Sequence, residues 1–235
     1  MNKNYALNSN VTKVSSIKEM LELAVKEAGD KNAFEYRDDV NHDKIVEVTY
    51  KDFVKDTDEL GTALASLGME NKHIAMIGEN SYKWLTVYLT VLKSTGVFVP
   101  IDRELPCKDI INVLKHSDSE VLFYSEKYEK WIQEIKTNVP NIKFFIGLNR
   151  HENEENLLSY DIFKQTGKTV LEQGSKIYTD LKDDENKLKL LVYTSGTTGT
   201  PKGVMLTEHN LISVVYYGLQ VADIGEKCLS VLPYH

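Results

Sequence analysis

Short apolar runs alternate with amphipathic helical patterns through the middle of this chain, and this alternation limits its possible folds more than any other feature. A helix between consecutive strands predicts parallel βαβ units and a sheet that is covered by helices on both faces. The sequence therefore predicts an α/β fold built on a mostly parallel sheet. The predicted strands are residues 73–77, 97–99, 121–124 and 142–146, and the predicted helices between them are residues 82–94, 110–116 and 127–136.

The segments before this region predict two capped helices with a hairpin between them. Ser16 followed by Glu19 forms a capping box that opens the first helix, which is expected to end at Gly29. Thr49 caps the second helix, which is expected to stop at Gly68. The hairpin is predicted from strand patterns at residues 34–36 and 45–48 on either side of the polar residues 38–44.

The last third of the chain changes character. Residues 148–187 are polar, and a short apolar stretch at residues 188–193 then predicts a buried strand. Thr207 is expected to cap a helix that runs to residue 217, with Glu208 near its positive end. The other elements predicted in this part are surface helices around 160–165 and 171–181, a return strand at 204–206 and a last strand at 229–232.

The strand at 188–193 leads into the most informative motif, the segment Tyr-Thr-Ser-Gly-Thr-Thr-Gly-Thr-Pro-Lys-Gly-Val at residues 193–204. Glycines let the backbone turn sharply and bring N–H groups close to an anion. Hydroxyl groups donate to phosphate oxygens, and Lys202 supplies a positive charge for a phosphate. In open α/β sheets, ligands bind beyond the carboxyl ends of the strands, where this loop begins. The composition predicts a loop that surrounds a polyphosphate.

Two common phosphate-binding motifs do not match this loop. The P-loop of the NTPases needs Gly-Lys-Ser/Thr, but Pro201 precedes Lys202 and Gly203 follows it. The dinucleotide-binding motif needs Gly-x-Gly, which does not occur between residues 193 and 204. A flexible Gly/Thr turn between two strands is the remaining alternative, and the density of hydroxyl groups together with the lysine argues against it.

Taken together, the loop and three shorter elements resemble the AMP-forming acyl-adenylate synthetases. Residues 48–53 are similar to the family's Thr-Tyr-x-Glu-Leu element, and residues 92–102 to its Leu-Lys-Ala-Gly-Gly-x-x-Val-Pro-Ile-Asp element. Residues 231–235 resemble the start of its Leu-Pro-x-His element. The segments 78–84 and 101–106, together with the Leu-Pro-Tyr-His end, are most similar to the fatty acyl-CoA synthetase branch.

This resemblance implies a two-step reaction, in which a carboxylate and ATP form an acyl-adenylate and pyrophosphate, and a thiol such as coenzyme A then takes the acyl group. ATP, Mg²⁺ and coenzyme A are the implied cofactors, and a fatty acid is the favoured carboxylate. Gly199 and Gly203 are expected to permit the turn, and His235 is expected near the acyl pocket. The implied ATP phosphate-binding residues are Thr194, Ser195, Gly196, Thr197, Thr198, Gly199, Thr200 and Lys202.

The resemblance also implies elements that are absent from the 235 residues, namely the ribose-binding Thr-Gly-Asp element and a late lysine that contacts the carboxylate. The catalytic residue is therefore unknown. Residues 1–235 are expected to be part of the N-terminal adenylation domain, with an α/β region at 1–187 and the phosphate-loop region at 188–235, and to be inactive alone. The alternatives are an amino-acid adenylation domain that loads a carrier protein and a nucleotide-binding fragment without catalysis.

Composition excludes several other classes. With 28 Lys and Arg against 35 Asp and Glu, the net charge of −7 argues against a nucleic-acid binder. Cys107 and Cys228 match no metal-site spacing and indicate reduced cysteines, so a cytoplasmic location is expected, with no metal bound by the protein alone. No signal-peptide pattern or membrane-spanning run occurs. A peripheral membrane contact is left open. The histidines at positions 73, 116, 151 and 209 are interpreted as surface or structural residues.

Overall fold

The computed structural model of the chain describes residues 10–37, 43–94, 96–194, 202–222 and 228–229. The strands are Asn32–Arg37 (β1), Ile45–Thr49 (β2), His73–Ile77 (β3), Val97–Pro100 (β4), Val121–Tyr124 (β5), Phe144–Gly147 (β6), Leu157–Ser159 (β7), Leu188–Thr194 (β8) and Lys202–Thr207 (β9). The helices are Ile17–Ala28 (α1), Tyr50–Ser66 (α2), Tyr82–Lys93 (α3), Cys107–His116 (α4), Glu129–Asn138 (α5), Tyr160–Glu172 (α6) and Glu208–Val221 (α7), and a 3₁₀ turn at Glu126–Tyr128 leads into α5.

Seven strands form one sheet in the order β7-β6-β5-β3-β4-β8-β9. The six strands from β7 to β8 are parallel, and only β9 runs antiparallel, against β8. The strands β1 and β2 form the separate antiparallel hairpin that the sequence predicts. The predicted α/β class with a mostly parallel sheet is therefore confirmed.

Side chains from the central strand β3 point alternately into two hydrophobic cores. Ile74 and Met76 pack in the core formed with α1, α2, α3, α6 and α7. Ala75 and Ile77 pack in the core formed with α4 and α5. Because successive strand residues face opposite sides of a sheet, this division shows that helices cover both faces.

The helix starts follow the predicted capping chemistry with one shift. Ser16 Oγ accepts a hydrogen bond from the Glu19 backbone N–H at 3.1 Å. The Glu19 carboxylate, however, accepts from the backbone N–H of Ser15 at 2.7 Å, so the capping box is displaced by one residue. Gly29 follows α1 in the right-handed region, at φ −51°, whereas Gly68 after α2 has φ +71°.

The polar segment after β6 departs from the prediction in two places. The helix expected at 171–181 is wrong, because α6 ends at Glu172 and Gly174 then takes φ +88°, which breaks the helix. Farther along, Tyr178 is buried, and its hydroxyl donates to the Thr90 carbonyl in α3 at 2.7 Å. This tertiary contact, rather than helix propensity, determines the conformation of the segment. The short strand β7 was not predicted, because three residues are too few to show a hydrophobic period.

We expect Gly167→Ala to destabilise the fold, because this glycine lies at a close contact between α6 and α2. A Cβ atom at position 167 would lie 1.9 Å from the Glu59 carbonyl oxygen and 2.9 Å from Ala63 Cβ. Overpacking of this kind costs about 1–3 kcal/mol, and the backbone contact places the loss at the upper end. Urea unfolding measures the change. Gly218→Ala in α7 is the matched control, since nothing lies within 4 Å there, and an equal result for both variants would contradict the expectation.

Candidate phosphate-binding site

The predicted loop joins the two strands of an antiparallel hairpin at the edge of the sheet. Thr194, the last residue of β8, is paired with Lys202, the first residue of β9. Both are exposed, whereas residues 189–191 of β8 are buried. Because β8 is parallel to β4, the loop begins at the carboxyl end of a parallel strand, as the sequence predicts.

The structure places only the two flanking members of the predicted phosphate-binding set. Thr194 and Lys202 face each other across the mouth of the loop. The predicted strand at 229–232 is described only at Leu229, which is exposed and in no strand. The predicted site residues that lie outside the described part of the chain are Ser195, Gly196, Thr197, Thr198, Gly199, Thr200 and His235.

Gly203 has a different role from the one expected. It lies in β9 opposite Tyr193 rather than in the turn. A Cβ atom at this position would lie 2.8 Å from Leu191 Cδ1 and 3.6 Å from Tyr193 Cζ. The glycine therefore leaves room for two side chains of β8 to pack across the hairpin.

A buried ion pair fixes the other end of the hairpin. Lys189 Nζ lies 3.3 Å from Glu208 Oε2, and the two side chains are 1% and 0% exposed. The ammonium also donates to the Leu92 carbonyl at 3.0 Å and to the Ser94 carbonyl. Glu208 Oε1 accepts from the backbone N–H of Ile17 at 2.8 Å. The pair therefore connects β8 and α7 to the end of α3 and the start of α1.

Burial raises the pKa of Glu208 and lowers the pKa of Lys189, because both charges lose their hydration. Sequence reasoning placed Glu208 only at the positive end of α7 and did not find its partner. Lys189 was the residue in the sequence that could have indicated a buried ion pair. A lysine within an apolar strand is almost never fully buried without a paired charge.

His116 contacts Tyr193, the residue before Thr194 in β8. His116 Nδ1 is 2.7 Å from the Tyr193 hydroxyl, and the two rings meet edge to face with centroids 5.5 Å apart. His73 Nδ1 lies 2.5 Å from the Ser117 carbonyl oxygen, which is a structural role, as interpreted from the sequence. In the described part of the chain, no cluster of three or more His, Cys, Asp or Glu side chains could hold a metal ion.

A cavity lies at the carboxyl ends of three neighbouring strands of the sheet. It has a volume of about 610 Å³ and lies beyond the carboxyl ends of β3, β5 and β6, where Glu79, Ser125 and Leu148 line it. Four of its charged groups form two ion pairs, Lys83–Asp161 at 2.9 Å and Lys164–Asp56 at 2.7 Å. Neither Thr194 nor Lys202 lines this cavity. Paired charges of both signs favour no particular class of ligand.

Comparison with known proteins decides the family. The family model described as AMP-binding enzyme matches residues 21–235. The chain belongs to the AMP-binding enzyme family. Within the described residues of this family member, no helix is long and apolar enough to span a bilayer.

Relatives of this AMP-binding enzyme chain include fatty-acid ligases. A chloroplastic long-chain-fatty-acid–[acyl-carrier-protein] ligase of Arabidopsis thaliana is 26% identical over 211 residues, covering 83% of this chain and 29% of the relative. A medium-chain-fatty-acid–CoA ligase of Ectopseudomonas oleovorans is 29% identical over 161 residues, covering 66% of this chain and 28% of the relative. The chain thus spans less than a third of either relative.

The fold of this family member is also found in solved structures. The anthranilate CoA ligase AuaEII in complex with anthranoyl-AMP superposes with a TM-score of 0.68 at 21% identity, over 82% of this chain and 35% of that one. The likeness supports the α/β fold described above.

Proposed function

We propose that this chain is the first part of an adenylation domain, and that its β8–β9 hairpin binds the β- and γ-phosphates of ATP. The observation that supports the proposal best is the pairing of Thr194 with Lys202 across the mouth of a loop in an AMP-binding enzyme family member. Both residues are exposed, so a hydroxyl and an ammonium group are accessible to an anion.

In the proposed reaction, a carboxylate oxygen attacks the α-phosphorus of ATP. The bond from that phosphorus to the bridging oxygen breaks, and pyrophosphate leaves with the electron pair. A thiol, proposed to be that of coenzyme A, then attacks the acyl carbon, and AMP leaves. The main obstacle is charge, because an anion must approach a second anion.

The loop would act on the leaving group. Lys202 would balance charge that develops on pyrophosphate, and the Thr194 hydroxyl would donate to a phosphate oxygen. Mg²⁺, bound with the nucleotide, would neutralise further phosphate charge. Donors that are already held in place need not move when charge develops on the leaving group. A stiff hairpin stem would therefore favour the reaction as much as the positive charge does.

The proposed domain organisation is an α/β region at residues 1–187, with its polar part at 148–187, followed by the loop region at 188–235. The 235 residues do not include a Thr-Gly-Asp element. We therefore propose that these 235 residues bind nucleotide but do not complete adenylation by themselves.

A fatty acid is the proposed carboxylate. Support comes from the fatty-acid ligases described above, at 26% and 29% identity, and from the similarity of residues 78–84 and 101–106 to that branch. An amino acid loaded onto a carrier protein remains the alternative. The reading frame beyond codon 235 discriminates between them, since a carrier domain with a phosphopantetheine serine would favour the amino acid. A cytoplasmic location remains a prediction.

Calorimetry tests the proposed function with the 235-residue chain. We expect Mg·ATP to bind, and AMP to bind more weakly because it lacks the β- and γ-phosphates. Carboxylate-dependent exchange of pyrophosphate into ATP is expected to be absent. No heat at millimolar Mg·ATP would contradict nucleotide binding, and exchange that depends on a fatty acid would contradict the proposed inactivity of the chain.

A further inference from the structure

We infer that His116 is a positioning residue for the phosphate-binding loop and acts through Tyr193. The inference rests on the proposed function, because it concerns the same loop. His116 Nδ1 and the Tyr193 hydroxyl are 2.7 Å apart, and the rings lie nearly perpendicular at 86°. Tyr193 directly precedes Thr194, so this contact is made at the residue where the loop begins.

The contact occurs where β8 has passed its pairing with β4 and is paired with β9 on one side only. The ladder between β4 and β8 registers at Phe98 and Leu190, so Tyr193 lies beyond it along the chain. A strand end that is paired on one side only has fewer contacts to hold it than one in the middle of a sheet. The hydrogen bond to His116 supplies a fixed point for this end of β8.

Tyr193 is placed to affect both sides of the loop mouth. It is the register partner of Gly203, the residue after Lys202. Its ring lies close enough that a Cβ atom at Gly203 would be 3.6 Å from Cζ. An aromatic ring packed over a glycine on the opposite strand restrains both strands. Holding the ring therefore restrains Thr194 and Lys202 together.

His116 is itself attached to the rigid part of the fold. It is the last residue of α4, whose Val113 and Leu114 are buried. The next residue, Ser117, donates through Oγ to the Leu114 carbonyl at 3.2 Å. The Ser117 carbonyl contacts His73 at the start of the central strand β3. A continuous series of contacts thus connects the start of β3 to Tyr193 near the end of β8.

The test compares His116→Ala, Tyr193→Phe and the rescue variant His116→Asn, whose amide nitrogen can replace Nδ1. A net hydrogen bond of about 1 kcal/mol corresponds to roughly a fivefold change, so we expect His116→Ala and Tyr193→Phe each to weaken Mg·ATP binding by about 3- to 10-fold. AMP affinity is expected to stay unchanged, and His116→Asn is expected to bind Mg·ATP as the wild type does. His209→Ala, at an exposed position of α7, is the matched control.

The pairing of the two residues is tested by the double variant His116→Ala/Tyr193→Phe. It is expected to bind Mg·ATP no more weakly than the worse single variant, because both changes remove the same interaction. A purely structural role would instead lower the unfolding midpoint and affect ATP and AMP alike. Additive losses, or equal losses for ATP and AMP, would overturn the positioning role.

Amide hydrogen exchange tests the role of His116 independently of whether the chain binds ATP. In His116→Ala, exchange is expected to be faster at the end of β8 and the start of β9, and His116→Asn is expected to restore the wild-type rate. Unchanged exchange in His116→Ala overturns the inference even if the wild type binds Mg·ATP. If the wild type fails to bind, the proposed function falls, and exchange alone decides whether His116 positions the hairpin.

Discussion

Replacement of Lys202 by alanine is expected to weaken Mg·ATP binding to this chain by roughly 10- to 100-fold, because a hydrogen bond to a charged group contributes about 1.5–3 kcal/mol. Lys202 is exposed and opens β9 opposite Thr194, so its ammonium group can reach a phosphate without unfolding the hairpin. Calorimetric titration with Mg·ATP and with AMP measures the effect, and AMP affinity is expected to change little.

Two further variants show whether charge or packing is responsible for the Lys202 effect. Lys202→Arg keeps the positive charge and is expected to lose less affinity than Lys202→Ala. Lys176→Ala removes an exposed lysine from the segment after α6 and controls for the net charge of the chain. The wild-type affinity should fall as salt is added, and Lys202→Ala should show a weaker salt dependence. Equal Mg·ATP affinity in Lys202→Ala and the wild type would exclude Lys202 from the site.

Replacement of Glu208 by alanine is expected to reduce the free energy of unfolding by about 3–5 kcal/mol, because it leaves the Lys189 ammonium buried without its counter-charge. The variant also removes the acceptor of the Ile17 backbone N–H, which lies 2.8 Å from Glu208 Oε1. A loss of this size is a large share of the stability of a typical domain. Urea unfolding at neutral pH measures it.

The double variant Lys189→Met/Glu208→Leu separates charge burial from packing. It buries no charge and is expected to recover part of the loss, while the Ile17 N–H still lacks its acceptor. Glu185→Ala is the matched control, because it removes a carboxylate from an exposed pair, in which Glu185 Oε2 lies 3.8 Å from His209 Nδ1. A loss below about 1 kcal/mol in Glu208→Ala, comparable to a surface substitution, would contradict this account of the buried pair.

The pKa shifts of this pair fix the direction of its pH dependence. The pKa of Glu208 is raised by burial, so its contribution to stability is present at low pH and is lost as the pH rises through the folded-state pKa. The pKa of Lys189 is lowered by burial, so its contribution is lost as the pH falls through its folded-state pKa. Both shifts mean that folding disfavours the ionised form of each side chain. For this reason, apolar replacement of the pair is expected to recover part of the lost stability.

Local chemistry explains which parts of the fold could be predicted. Ser16, Thr49, Ser81 and Thr207 each accept a backbone hydrogen bond at a helix start, and these caps depend only on residues three positions away. The strands β3 to β6 are apolar runs between helices, so the parallel sheet followed from their alternation. The strand β8 was predicted from its own apolar stretch, and a return strand was expected at residues 204–206.

What could not be predicted depends on residues that are distant in sequence. His116 and Tyr193 are 77 positions apart, and Glu208 reaches Ile17 across 191 positions. No period or cap motif encodes such a pair. The placement of β8 beside β4 and the close contact of Gly167 with α2 likewise depend on how the elements pack. The candidate site is therefore proposed from a run of neighbouring residues, whereas the contacts around it depend on the fold.

Amide hydrogen exchange of the wild-type chain, with and without ligand, tests the central claim most directly. Mg·ATP is predicted to protect the amides between Thr194 and Lys202, and AMP is predicted to protect them much less. Protection by Mg·ATP that appears instead around the cavity lined by Glu79, Ser125 and Leu148, or no change between residues 194 and 202, would contradict the claim that this hairpin binds the phosphates of ATP.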